Sequence, residues 1–269
     1  MAYTTIDNPG AFFNSLLYAG SASTWVAHTG VGFQPDMTWH KSRTSASNWH
    51  GIADSVRGVD AATGCKALYS NDTNIEGSST TEYLDGYQSD GFTTGVNGSF
   101  GAPSNDYVAW CWKAGTTSGI DATGATITPS AYSFNHTSRI SIAAYTGNGV
   151  SGAKIAHGLA AIPDLMIIKS RDYAGRAWVV YHHKNTASPE TDYLTLNTTD
   201  ATTDGAWPLN DAVPTSVYFA TQANTGTNRS GSTYVVYTFK GVQGYSKFGS
   251  YIGNGNADGP FVYTGFRPA

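Results

Sequence analysis

Charge is scarce in this sequence. Asp, Glu, Lys and Arg together make up 13% of the 269 residues, about half the usual share of roughly 25%. Glutamate occurs only at Glu76, Glu82 and Glu190. The straight-chain residues that build long exposed helices are correspondingly thin, which argues against a helical protein. Two cysteines, Cys65 and Cys111, are too few for a disulfide framework. Cys111 lies in the apolar run "YVAWCWK" and reads as a small buried apolar group. No run reaches the ~20 apolar residues of a membrane helix, so no membrane insertion is expected. The opening "MAYTTIDNPGAFF" has neither the basic nor the apolar region of a secretory signal, which predicts a soluble protein made in a cytoplasm. Net charge is −4 and the pI 5.9. With no Lys/Arg cluster to neutralise phosphates, nucleic acid and anionic membranes are excluded as partners.

What is abundant is glycine, with 31 residues, and aromatic side chains, including 17 Tyr and seven Trp. β-branched and aromatic residues punctuated by Gly, Asn and Asp predict short strands and tight turns, hence an all-β protein. The sequence also repeats itself. "VGFQPDMTWHKSR" (Val31–Arg43) returns as "LAAIPDLMIIKSR" (Leu159–Arg171), and Pro35 and Pro163 lie 128 residues apart. "SLLYAG" faces "IAAYTGNG", with Tyr18 and Tyr145 127 apart. "SNWHGIADSV" faces "GRAWVVYHHK", each with a Trp near its start; "KALYSNDT" faces "DYLTLNTT", aligning Asn71 with Asn197; "YVAWCWK" faces "YVVYTFK". Blocks in one order at offsets of 126 to 129 establish a duplication. A third start follows, "FGSYIGNGNADGPFVYTGFRPA" (Phe248–Ala269).

The pattern predicts tandem β-sandwich modules of jelly-roll or concanavalin-like type. The expected divisions are an N-terminal arm (1–14), module one (15–113), a Gly/Thr-rich linker (114–138) that carries a strand near its end, module two (139–240), and a third repeat's start (241–269). The last is expected to form a hairpin docked on module two or on a partner subunit. "YVAWCWK" and "YVVYTFK" are apolar on both alternating faces, as in a strand of a sheet covered on both sides. "DLMIIKSR", "RAWVVYH" and "SVYFATQ" are further strands. "NPGAFFNSLLYA" (Asn8–Ala19) is the one plausible helix.

Chemistry is sparse. No nucleophile elbow, zinc-binding His-Glu-x-x-His, P-loop or dinucleotide fingerprint is present. "GNGVSG" and "GNGNADG" read as hairpin turns. His182 and His183 are adjacent on a strand and point to opposite faces, so they do not chelate one metal. Asn71 and Asn197 fit Asx-turns better than Ca²⁺ ligation. The three glutamates lie in polar, turn-rich segments without apolar surroundings to raise a pKa, so a paired-carboxylate glycosidase is disfavoured. No catalytic residue, cofactor or metal site is expected. Aromatic planes can stack on sugars, and Trp25, Trp49, Trp178 and Trp207, near loops, are the candidate ligand contacts. Trp110 and Trp112, replaced by Tyr237 and Phe239 in the second copy, read as core.

The blocks "MAYTTIDNP", "GFQPDMTWHKSR", "DSVRG", "SDGFTTG", "YVAWCWKAG" and "SYIGNGNADGPFVYTGFRPA" resemble an uncharacterised family of repetitive virion proteins from tailed phages of marine bacteria, described as tail fibre or minor structural proteins. The resemblance covers nearly the whole chain. Trp39-His40 departs from it, since Trp-Ile is usual there, and the third unit is only a head, so the chain is either complete or part of a longer three-repeat protein. The resemblance implies a phage virion surface protein, a tail fibre or receptor-binding component that recognises host surface polysaccharide or protein without covalent chemistry. The alternatives are a capsid decoration or other structural virion protein and, third, a glycan-active enzyme. Other virion proteins are the expected partners, and a homo-oligomer is expected.

Overall fold

The structure, a computed structural model, describes residues 4–59, 65–79 and 82–268. Among them there is no α-helix, only 3₁₀ turns at Pro9–Ala11 and Pro189–Thr191. The first half carries β1 (Phe13–Ala19), β2 (Val26–Thr29), β3 (Met37–Ser42), β4 (Gly51–Asp54), β5 (Cys65–Tyr69), β6 (Gly77–Ser79), β7 (Leu84–Gln88), β8 (Gly91–Thr94) and β9 (Asp106–Trp112). The second carries β10 (Ala131–Asn135), β11 (Ile140–Thr146), β12 (Ala153–Ala156), β13 (Leu165–Ser170), β14 (Val179–His182), β15 (Asp192–Thr195), β16 (Thr203–Asp204), β17 (Tyr218–Thr221) and β18 (Thr233–Phe239).

Two large antiparallel sheets run β1-β9-β3-β4-β5-β6 and β10-β11-β18-β13-β14-β15-β16. Apart from β10, the second order is the first one repeated. Registers repeat too: Tyr18 faces Tyr107 in β1–β9 as Tyr145 faces Tyr234 in β11–β18. "YVAWCWK" and "YVVYTFK" therefore fill equivalent strands. Two smaller sheets, β2-β8-β7 and β12-β17, complete the set. The stretch around Tyr18, expected to be helical, is strand β1. Its apolar residues recur at Leu16 and Tyr18, a period of two, and both reach the core.

Each small sheet covers one face of its large sheet. Phe92 and Leu84 close over Tyr18, Ala109 and Cys111, and Ile155 and Phe219 close over Tyr145, Met166 and Val236. The other faces of the large sheets close on each other. Met37, Ile52 and Leu68 of the first pack with Ile142, Ile167, Trp178, Val180, Val235 and Tyr237 of the second in one shared core. The layers thus run small, large, large, small. This explains strands apolar on both faces: Tyr234 and Val236 point into one core, Val235 and Tyr237 into the other. The repeats are not beads on a flexible tether.

The seam is also tied by polar groups. Arg57, its side chain fully buried, contacts Asp54 at 2.6 Å and Glu76 at 3.1 Å, and Arg171 of the second repeat grips Glu76 at 2.8 and 2.9 Å. Tyr237 donates to Asp54 at 2.6 Å. Burial opposes the Arg57 charge, yet Asp54, Tyr237 and Glu76 hold its pKa well above the ordinary value. Glu76 is therefore held between two arginines rather than lying in open solvent. Lys169 donates to Thr73 O at 3.2 Å, and Trp178 Nε1 to Tyr69 O at 2.8 Å, so loop 70–76 of the first repeat is clamped by the second.

The third start does not form the expected hairpin. No strand lies between Gly241 and Pro268, and Tyr251, Ile252 and Phe261 are 70%, 90% and 89% exposed. The topology supplies the reason. The first two strands of a unit never pair with each other: β11 bonds to β10 and β18, and β12 to β17. "GNGVSG", between β11 and β12, is accordingly a crossover between layers rather than a hairpin turn, with Gly149 and Gly152 at φ 69° and 79°. In segment 248–268 the counterparts of β11 and β12 accordingly do not pair with each other.

Two outcomes follow from the shared core. Trp178→Ala should lower unfolding free energy by about 3–5 kcal/mol in urea titration. The first repeat expressed alone should aggregate or stay unfolded by circular dichroism and gel filtration, because Met37, Ile52 and Leu68 would face water; a soluble, cooperatively folding single repeat would refute the role given to the seam.

Candidate functional site

The repeated motifs serve the fold. Asp36 and Asp164, of the two Pro-Asp blocks, accept the backbone N–H that follows each final strand: Ala114 N donates to Asp36 Oδ2 and Gly241 N to Asp164 Oδ2, both at 2.9 Å. Asn71 and Asn197 accept the N–H at the start of the fourth strand of each repeat, from His50 at 2.9 Å and Trp178 at 2.8 Å. These are long-range bonds, so neither Asn makes the Asx-turn read from sequence. His183 contacts Asp164 at 3.2 Å and Phe248 O at 3.1 Å. Among the described residues no cluster of His, Cys, Asp or Glu has metal-binding geometry. Cys65 and Cys111 are free and buried, and burial raises their pKa values to about 11 and 12.

The four candidate tryptophans do not converge. Trp178 is wholly buried and cannot contact a ligand. The hydrogen bonds to Asn71 and Asn197 make His50, not Trp49, its counterpart. That one-residue slip flips the side chain: Trp49 lies outside, 43% exposed and edge-on to Tyr69 at 4.8 Å. Trp25 is half-buried in a left-handed conformation at φ 66°. Trp207 stacks edge-on to Tyr193 and lines a crevice of about 240 Å³ with Arg176.

An aromatic concavity of about 500 Å³ opens where the large sheets end together. Phe13 starts β1 and faces Trp112, the end of β9; Ile140 starts β11 and faces Phe239, the end of β18. Because the sheets stack, these equivalent ends meet. Rings run in sequence across the seam: Phe13–Trp112 at 5.1 Å, Trp112–Phe239 at 6.2 Å, Phe239–Phe248 at 5.9 Å. Tyr245 and Phe266, from beyond the second repeat, complete the walls. Trp112, read as core from sequence, both packs on the shared core and lines this cavity.

Four cations and no carboxylate line it: Arg139, Lys240, Lys247 and Arg267. Among the described residues only Lys240 has an acidic partner, Asp164 at 2.6 Å. Arg139 Nη1 donates to the carbonyls of Leu159 and Ala160, and Lys247 Nζ to that of Tyr263. Arg267 has no hydrogen bond or ion pair among the described residues. Ser138, 4% exposed, lines the cavity with its Oγ unpartnered. The site thus offers ring faces and, among the described residues, positive charge that no carboxylate of the lining compensates. A polar groove around Asp36 has a comparable volume, but its carboxylate is already committed to Ser55, Ala114 and Ser133. Sequence reasoning missed the site because its walls come from positions 9 to 268. The only signal was the shared aromatic at the end of each final strand.

A second feature is confined to the first repeat. His28 and His40 occupy the places of Ile155 and Ile168. Tyr18 OH lies 2.8 Å from His40 Nδ1 and also bonds Phe100 O; His28 Nε2 bonds Thr94 Oγ1 at 2.8 Å; His40 Nε2 is unpartnered. Burial lowers the pKa of His40 to about 3 and of His28 to about 4. Folded pKa values below the unfolded 6.5 mean that the unfolded chain takes up more protons. The two histidines' contribution to stability is full above pH 6.5 and falls as pH drops toward 4, by up to about 1.4 kcal/mol per pH unit per histidine, and buried His157 of the second repeat, also lowered to about 4, acts in the same direction. His40→Ile should reduce this dependence in urea titrations at pH 7 and pH 5, His28 and His157 keeping their share; an unchanged slope would mean that His40 does not titrate on unfolding.

The molecule is all-β and β-sandwich-like, with several antiparallel sheets, none closed. The chain belongs to the family described as domain of unknown function DUF7483, whose model matches residues 8–269, across both strand repeats and the segment after them. No curated protein and no solved structure matches it.

Proposed function

We propose that this chain is a non-covalent recognition protein of a virion surface, a phage tail fibre or receptor-binding component that engages the host surface. The cavity at the seam carries the reading, since aromatic walls beside uncompensated cations suit binding of a polar ring. The resemblance stated from the sequence blocks supports the virion setting. The repeated strand order supports two modules of jelly-roll or concanavalin-like type, a common architecture of binding proteins. Copies associate through β1. Among the described residues that strand bonds only to β9, whereas its counterpart β11 is also covered by β10. β1 carries no charge or proline, and Leu17 is 61% exposed, so little in it discourages pairing with another chain.

A second reading, a capsid decoration or other structural virion protein, is favoured by the same open edge, which suits lateral assembly. Labelled protein incubated with host cells should bind saturably, and free protein should block adsorption of the virus. Absence of cell binding, with hundreds of copies per virion on a stained gel, would favour decoration instead. In light scattering the chain should be a homo-oligomer at micromolar concentration and Leu17→Lys should shift it toward monomer; a monomeric wild type would remove the role of β1.

A further inference from the structure

We propose that the seam cavity binds a carboxylate-bearing sugar ring, a uronate unit of an acidic polysaccharide. The inference rests on the recognition reading above and names its ligand class. The walls fix the ring. Trp112, Phe239 and Phe248 form a stepped apolar surface, and Phe266 stands among the remaining lining residues. A volume of about 500 Å³ accommodates one or two sugar units. A pyranose presents C–H groups on one face and hydroxyls at its edge, which suits an aromatic surface on one side and an open mouth on the other.

The cations fix the charge. A neutral sugar would leave Arg139, Lys247 and Arg267 without an anion beside an apolar wall. A carboxylate compensates them, and a guanidinium fork matches its planar geometry. The chain as a whole is acidic, at −4, so the cluster is not part of a generally basic surface. Arg267 and Phe266 lie after the second repeat, so the segment that has no strand of its own gains a purpose here: it supplies one wall and one charge.

The test is calorimetry of the full chain with oligogalacturonate, with the same oligomer as its neutral methyl ester, with benzoate and with laurate. Oligogalacturonate should bind, and the ester should bind at least about tenfold more weakly, the worth of one charge-assisted hydrogen bond. Affinity should fall as salt rises. Arg267→Gln, which removes no hydrogen bond or ion pair among the described residues, should weaken binding about tenfold at unchanged melting temperature, and Phe266→Ser should weaken it without removing the salt dependence. Equal binding of acid and ester, preference for benzoate or laurate, or no binding by any probe would overturn the proposal. If the protein still binds host cells in those cases, the recognition reading stands and only the ligand class fails.

Discussion

Each large sheet is apolar on both faces, and the rest of the architecture follows from that constraint. A strand such as β18 points Tyr234 and Val236 one way and Val235 and Tyr237 the other, all buried. One small sheet can cover only one side. The remaining face of each repeat needs an apolar surface of similar size, and the other repeat supplies it. Duplication here does not lengthen a rod; it gives a two-faced sheet a matching partner within the same chain. The family match, which runs across both copies, is consistent with the pair being the folding unit.

The seam is not symmetric in its polar contacts. Lys169 and Arg171 of the second Lys-Ser-Arg block hold Thr73 and Glu76. The first block does nothing equivalent: Lys41 reaches only Ser45 O, at 3.5 Å, and Arg43 is exposed. The same sequence therefore has two duties, set by what lies opposite. Breaking a buried ion pair costs about 3–5 kcal/mol, so Glu76, between Arg57 and Arg171, ties the two repeats together at one point of the seam. Apolar faces supply the affinity of the seam, and these charges supply its geometry.

Much of the fold was legible because its signals are local. The all-β character, the duplication and the final strands followed from period-two patterns and from blocks such as "YVAWCWK" and "YVVYTFK". The errors came from pairing, which is not local. The tail aromatics alternate around Gly-Asn turns, so a hairpin was a fair expectation, but this topology sends consecutive first strands into different sheets. Trp49 and Trp178 aligned by residue type, yet the backbone register sets them one residue apart and so on opposite faces. Composition around Glu76 looked solvated because its partners, Arg57 and Arg171, lie 19 and 95 residues away. The site was the least legible part, being assembled from strand ends far apart in sequence.

That assembly has a physical origin in the repeat itself. Trp112 and Phe239 are equivalent residues, each closing the last strand of its unit. In an isolated unit such an aromatic would be a single exposed ring at a strand end. Stacking the sheets brings the two within 6.2 Å and leaves between their strand ends a recess that neither copy has alone. The chain after β18 then passes over that recess: His183 holds the Phe248 carbonyl, and Phe248 packs on Phe239. The segment after β18 thereby forms one wall of the recess. The recess and its wall depend on the same event, the closure of two apolar faces on each other, so the site can exist only in the duplicated chain.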